Sequence, residues 1–156
     1  MNNEYNEVVL ANEISNKFME KFSEYPVIEG NMGFNELKSK LEFHPSKKVV
    51  FNDVFYSLRE SEIKEILGIL KKQNMHFVLV TSNVEYALYG EYIKVYDGNN
   101  IILEGVKDIV LKEEKTLKKL GYGLPFVVDL STQLIYYDIF DRVYYDMDEL
   151  VRALWN

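Results

Sequence analysis

An amide and a carboxylate, Asn52 and Asp53, directly follow the apolar run 49–51. A carboxylate at the tip of a buried strand can hold a magnesium ion or polarise a water molecule. The same residue types also satisfy the free N–H groups of turns. The sequence leaves both interpretations open, a site for metal or acid–base chemistry and a turn without a chemical role.

The eight glycines of the chain are not spaced for a phosphate-binding loop. No two of them lie five positions apart and none precedes a lysine, so the pattern G-x-x-x-x-G-K-[ST] does not occur. Gly121 and Gly123 begin a G-x-G, but the residues 124–126 that follow do not complete the dinucleotide pattern G-x-G-x-x-G. The spacing predicts that the chain does not bind a nucleotide by itself through either motif.

Composition and charge exclude several other classes of function. The net charge is -7, which argues against a nucleic-acid partner because such binding needs a basic face. The chain has no cysteine, so it has no disulfide, thiolate zinc site or catalytic cysteine, and its two histidines lie far apart. Its apolar runs are too short to cross a bilayer, and its acidic start differs from a secretory signal. We therefore expect a cytoplasmic protein without direct membrane insertion.

Apolar periodicity predicts helices on both sides of a parallel α/β sheet. Ser57 with Glu60, and Ser82 with Glu85, have the spacing of capping boxes and predict helix starts just after two strands. Ligand sites of such sheets lie at these strand ends. Strands are predicted at 49–51, 77–80 and 92–96, with a hairpin through 97–100 into 101–103. Helices are predicted over 4–25, 34–41, 63–70, 108–120, from Pro125, and from Asp146 to Trp155.

These elements suggest three segments along the chain. Residues 1–47 form a helical segment, 48–105 an α/β core, and 106–156 a C-terminal helical extension. The boundary between the first two lies at the composition shift near 44–48.

Four stretches resemble, in the same order, the ATPase domain of an ABC transporter, across about the last 110 residues. Residues 48–59 resemble its Walker B strand and D-loop, and 77–88 resemble the next strand with its switch-histidine loop. Residues 91–105 resemble the closing strand and hairpin, and 117–130 are similar to C-terminal helices of the energy-coupling-factor type. The resemblance implies a partial P-loop NTPase-like parallel sheet, with ATP and magnesium as the family's cofactors.

The resemblance assigns family roles to three residues at the strand ends. Asn52 falls at the magnesium-ligating aspartate of Walker B, where an amide oxygen brings no negative charge to the cation. Asp53 falls at the catalytic glutamate and is one methylene shorter. Ser82 falls at the switch histidine, which contacts the γ-phosphate in that family.

Five further positions depart from the family pattern or match it in part. Arg59 stands at the D-loop aspartate and reverses its charge. Gly33 and Glu36 belong to the only segment that resembles a remnant of the signature motif. Phe34 and Asn35 replace the central glycines of that motif. We expect these changes together to prevent hydrolysis by this chain alone.

The resemblance also predicts a vacancy in the sheet. In the family, the phosphate-loop strand lies between the strands that correspond to 77–81 and 92–96. Without that strand, two rows of backbone groups would lack partners. Either the remaining strands close up, or another chain fills the position.

We therefore expect a truncated or degenerate ATP-binding subunit of an ABC transporter, unable to bind or hydrolyse ATP alone. Its expected partners are a complete ABC ATPase subunit and a membrane subunit, which would place it at the inner face of the membrane. The alternative is a small non-enzymatic protein-interaction module, suggested by the tyrosine pairs at 136–137 and 144–145. We favour the interpretation that those tyrosines are core residues on helix faces.

Overall fold

A six-stranded sheet forms the centre of the protein in a computed structural model that describes residues 5–156. The strand order is β2-β3-β4-β1-β5-β6, in which β1 to β5 run parallel and β6 is antiparallel to β5. The strands are β1 (Glu7–Leu10), β2 (Val27–Glu29), β3 (Lys48–Asn52), β4 (His76–Thr81), β5 (Tyr92–Asp97) and β6 (Asn100–Val106). The predicted parallel α/β sheet, with its three strands and terminal hairpin, is confirmed.

Seven α-helices and two 3-10 segments accompany the sheet within residues 5–156. The helices predicted over 34–41, 63–70 and from Asp146 are confirmed, and Asp146 caps the last one through its side chain. The helices are α1 (Asn16–Met19), α2 (Phe34–Glu42), α3 (Glu60–Lys72), α4 (Lys107–Val110), α5 (Glu114–Lys119), α6 (Phe126–Tyr136) and α7 (Met147–Trp155). The 3-10 segments are Glu20–Phe22 and Val84–Tyr89.

The prediction of one helix over residues 4–25 is wrong. Glu4 lies outside the described residues, and the rest of that stretch forms β1, a loop and the short helix α1. The apolar residues at spacing four belong to different elements, since Leu10 ends a strand whereas Phe18 lies in a helix. Val8 and Val9 are β-branched and fully buried, which favours a central strand.

β1 occupies the position that was predicted to be vacant. It pairs with β4 on one side and β5 on the other, so that Val8 lies opposite both Leu79 and Ile93. The chain therefore supplies its own strand at this position, and the prediction of a vacancy is wrong. Strand pairing on both edges satisfies the backbone groups that a gap would leave exposed.

Three local predictions also need correction. Arg59 precedes α3 and its N–H donates to Glu62 Oε1 at 2.9 Å, so the expected Ser57–Glu60 capping box does not form. The second box is replaced by Asn83, whose Oδ1 accepts from Glu85 N at 3.0 Å. The predicted helix over 108–120 is interrupted and forms α4 and α5.

The apolar residues lie on the two faces of the sheet in unequal amounts. The larger cluster joins one face to α2, α3, α5, α6 and α7, and includes the fully buried rings of Phe51, Phe55 and Phe77. The smaller cluster joins the other face to α1, where Phe18 packs edge-on against Tyr96 with ring centroids 5.0 Å apart. Both β1 and β2 belong to the sheet, and the division of the chain at 47 and 105 stays a prediction.

No helix within residues 5–156 has the length and apolar character that crossing a bilayer requires.

Candidate functional site

The carboxyl ends of β3 and β4 are joined through Asp53 and Thr81. Thr81 Oγ1 donates to Asp53 Oδ1 at 2.8 Å, and Asp53 N donates to Val80 O at 2.8 Å. Thr81 is fully buried, and its Oγ1 also accepts from Asn83 N at 3.2 Å. The Asp53 carboxylate is therefore fixed by a buried hydroxyl that itself anchors the turn after β4.

The turn after β3 packs tightly against the turn after β2. Asp53 has a φ of 51°, the left-handed conformation that only a few residue types tolerate. A Cβ on Gly30 would lie 2.5 Å from Asp53 O and 2.8 Å from Asn52 O, so the close approach of the two turns requires glycine. Asn52 Nδ2 also donates to Glu29 Oε2 at 2.7 Å.

The polar side chains at this edge are hydrogen-bonded to one another. Magnesium is held through carboxylates in near-octahedral geometry. Here Asp53 Oδ1 accepts the hydroxyl of Thr81, and Glu29 accepts the amide of Asn52. Within residues 5–156, no group of three or more His, Cys, Asp or Glu side chains could hold a metal ion. These hydrogen bonds connect the strand ends, and the magnesium role that the resemblance gives Asn52 stays a prediction.

The loop after β1 is a part of this edge that the sequence analysis missed. It runs from Ala11 to the start of α1, and Ala11 N donates to Thr81 O at 3.0 Å. Residues 11–18 have the spacing of the phosphate-loop pattern, with Ala11 and Asn16 at its glycines, Lys17 at its lysine and Phe18 at its Ser/Thr. Strand, loop and helix also follow in the order that this motif requires.

This loop lacks the properties through which such a motif binds phosphate. None of residues 11–15 is a glycine or has a positive φ, so the loop does not form the alternating backbone nest that surrounds an anion. Phe18 is buried in the smaller cluster, where a magnesium-binding hydroxyl would be needed. Ser15 Oγ accepts from Phe18 N at 3.1 Å, which uses an N–H of the helix start. Lys17 is exposed.

The same loop is attached to the C-terminal part of the chain. Asn12 Nδ2 donates to Leu120 O at 2.9 Å, and nearby Tyr122 OH donates to Tyr96 O at 3.0 Å. Burial raises the pKa of Tyr122 to about 12, and the charge of Asp97 adds to this increase. The hydrogen bond of Asn12 therefore attaches this loop to the end of α5.

The remaining predicted site residues lie at the starts of helices or turns. Ser82 is exposed just beyond β4. Arg59 is exposed and pairs with Glu62 at 3.4 Å, and its backbone N–H is the main cause of the lowered pKa of Glu62. Gly33 caps α2 and Glu36 lies in its first turn. The roles that the resemblance gives these residues stay predictions.

One sequence signal could have located the missed loop. The run Val8-Val9-Leu10 is β-branched and apolar, and it directly precedes the spacing A-x-x-x-x-N-K. Glycine-containing motifs do not match this stretch, because both glycine positions are substituted.

The strand order and helices define an α/β protein with a P-loop NTPase-like fold. No model of a protein family matches the chain. It is 30% identical over 76 residues to the energy-coupling factor transporter ATP-binding protein EcfA1 of Caldanaerobacter subterraneus subsp. tengcongensis, covering 49% of this chain and 27% of that protein. It is 24% identical over 129 residues to EcfA1 of Mycoplasmoides gallisepticum, covering 80% and 46% respectively.

A solved structure shows the same fold. CbiO1 of Clostridium perfringens, part of the ABC transporter complex CbiONQ, aligns with a TM-score of 0.51 and 11% identity over 87% of each chain. The predicted resemblance to ABC transporter ATP-binding proteins, and to their C-terminal portion, is thus confirmed. The chain spans about half the length, or less, of these two curated relatives.

Proposed function

We propose that this protein is a non-catalytic relative of an ABC transporter ATP-binding subunit. It does not bind or hydrolyse ATP alone, and it acts through a partner ATPase and a membrane subunit. A position at the cytoplasmic face of the membrane, held through that partner, is part of the proposal. The relatives are ATP-binding proteins of transporters, which supports the transport context.

One observation carries the catalytic half of this proposal. The loop after β1 has the spacing of a phosphate-loop pattern but neither glycines nor a left-handed residue, and it leads into a helix of four residues. Phosphate binding at a helix start depends on free N–H groups and on the dipole of the helix. A helix of one turn, with one N–H already bonded to Ser15, offers little of either.

The test is a calorimetric titration of the purified full chain with ATP, with magnesium and again with a chelator. We expect no saturable binding at sub-millimolar ATP. Lys17→Ala removes the exposed lysine of the altered loop, and Lys40→Ala is the matched control at the end of α2. The wild type and both variants should behave alike. The proposal would be contradicted if the wild type bound ATP with sub-millimolar, magnesium-dependent affinity and only Lys17→Ala abolished that binding. Such a result would show that the loop still binds phosphate.

The variant Asp53→Asn distinguishes a structural role of this residue from a catalytic one. Its hydrogen bond to Thr81 predicts that Asp53→Asn lowers stability. Any phosphate release from ATP by the wild type should be equal in Asp53→Asn, since we assign it to contaminating activity. A rate above background that this substitution removes would contradict the proposal.

A non-enzymatic interaction module is the second candidate, and one observation favours it. Tyr136 and Tyr137 are 81% and 71% exposed, so the interpretation of this pair as core is wrong. Tyr144 and Tyr145 are half-buried and pack against the larger cluster. Light scattering after size exclusion, with and without a complete ABC ATPase, distinguishes the two functions. A stable monomer that forms no such complex favours the second.

A further inference from the structure

A groove of about 870 Å³ lies between the starts of α3, α6 and α7 and the 3-10 segment 84–89. We call it the α3–α7 groove. Three half-buried tyrosines, Tyr86, Tyr89 and Tyr145, line it together with the more exposed Phe126. None of the residues Asn52, Asp53 or Thr81 takes part in it.

The aromatic lining is held in place by the core. The rings of Tyr86 and Tyr89 stack with centroids 6.4 Å apart, and each meets the buried ring of Phe55 edge-on at 5.9 Å. Tyr86 OH donates to Phe55 O at 3.2 Å. Because these rings are already fixed, they can provide apolar contact area to a partner while losing little conformational entropy on binding.

The charges around the α3–α7 groove are mostly negative. Lys64 Nζ lies 3.4 Å from Glu60, and Lys107 Nζ donates to Leu88 O at 3.3 Å. The pKa of Tyr89 is raised by burial first and then by the charges of Glu60 and Glu85, which supports a negative potential at the rings. The lining contains two cations, Lys64 and Lys107, against five carboxylates, Glu60, Glu85, Asp146, Asp148 and Glu149.

An uncovered apolar stripe continues from the groove along α7. Leu150 faces the core and is buried, whereas Met147 lines the groove and is 38% exposed. Val151, Leu154 and Trp155 follow at helical spacing and are 42%, 45% and 85% exposed. The stripe covers roughly 12 Å of helix, at about 1.5 Å per residue. A small cation could fill part of the groove but would leave this stripe uncovered.

We propose that the α3–α7 groove and the stripe on α7 together bind a basic amphipathic helix of a partner protein. Apolar residues of that helix would cover Met147 and Val151, and its Lys or Arg side chains would face the acidic rim near Asp148. Helix-in-groove binding uses such a combination of apolar anchors and complementary charge. A second copy of this chain is disfavoured, because a two-fold contact would bring the same acidic rims together.

This inference rests on the partner half of the proposed function and not on the nucleotide half. Its test uses the full-length chain and two labelled helical peptides, one with leucines and lysines, the other with glutamates in place of the lysines. Fluorescence anisotropy should show saturable binding of the basic peptide only. The affinity should fall as salt is added, because the rim charges are exposed.

Two variants localise the binding. Asp148→Lys and Val151→Glu should each weaken it roughly tenfold, equal to about 1.4 kcal/mol. Glu42→Lys is the control, because it makes the same charge change at an exposed acid outside the groove, and it should change affinity less than about twofold. Circular dichroism confirms that each variant is folded.

Three results would overturn the proposal. They are equal binding of both peptides, no binding of the basic one, and equal effects of Asp148→Lys and Glu42→Lys. Sedimentation that shows self-association, lost in Val151→Glu, would assign the surface to a second copy instead. Each of these outcomes is independent of the ATP titration, so the two proposals can fail separately.

Discussion

The ion pair between Glu7 and Lys94 provides a sensitive test of where β1 lies. Glu7 Oε1 is 2.9 Å from Lys94 Nζ, and the two side chains are 10% and 28% exposed. The pair forms because β1 lies beside β5, with Glu7 opposite Tyr92 and Val9 opposite Lys94. A helix in this part of the chain would not bring the two charges together.

Lys94→Met keeps the aliphatic stem and leaves the Glu7 carboxylate buried without its cation. Removing one partner of a fully buried pair costs about 3–5 kcal/mol, and the partial exposure of Lys94 reduces the expected loss to about 2–3 kcal/mol. In a double-mutant cycle with Glu7→Gln, the loss of stability in the double mutant should be smaller than the sum of the two single losses by about 1–2 kcal/mol. Urea unfolding at neutral pH, followed by circular dichroism, measures all four free energies of unfolding.

The pKa of Lys94 determines how its contribution to the free energy of unfolding depends on pH. Burial lowers the pKa of Lys94, but the carboxylate of Glu7, whose Oε1 lies 2.9 Å from Nζ, outweighs this effect, so the pKa is raised overall. The stabilisation by Lys94 is therefore complete below the ordinary lysine pKa of about 10.4 and is lost as the pH rises through the higher folded value. It should be constant around neutral pH.

The exposed pair Glu114–Lys118, four residues apart on α5, is the control for this cycle. Its coupling should be clearly smaller, because solvent screens both charges. If the Glu7–Lys94 coupling does not exceed that of this surface pair, β1 does not lie in the register described.

Two further predictions concern the turns around the strand ends. Gly30→Ala should lower the free energy of unfolding by about 1–3 kcal/mol, because its Cβ would lie 2.5 Å from Asp53 O. Gly33→Ala is the control, because a Cβ there meets no atom within 4 Å. Thermal unfolding measures both variants. Because the folded pKa of Tyr122 is about 12, the free energy of unfolding should fall as the pH rises from about 10 through that value. Tyr122→Phe should flatten this decline in urea unfolding, and an unchanged slope would assign the titration to another tyrosine.

Local signals identified most of the later elements correctly. β3, β4 and β5 are runs of β-branched and aromatic residues, and the turn 97–100 marks the hairpin into β6. The Asp146 cap was also predictable, because its side chain bonds within two residues, to Asp148 N. The two capping boxes were not, since the observed caps are Arg59 and Asn83, which compete with the nearby serines at the start of each segment.

β1 shows where local reasoning fails. Four residues are too few to display the alternation of a strand, and the apolar side chains after them imitate a helical spacing. β1 becomes a strand because β4 and β5, about 70 to 90 residues further along the chain, offer it two edges to pair with. No window of the sequence contains those partners.

The site shows the same division. The sequence by itself determined that Asn52 and Asp53 directly follow a buried apolar run, that no glycine-rich phosphate motif exists, and that the chain resembles an ABC ATPase. Only the tertiary structure decided that Asp53 is bonded to Thr81, 28 residues away, and that residues 11–18 follow the central strand β1 at the same edge of the sheet. Residue types and short-range spacing can be read directly from the sequence. Hydrogen bonds across a sheet form only when strands that are distant in the sequence have paired.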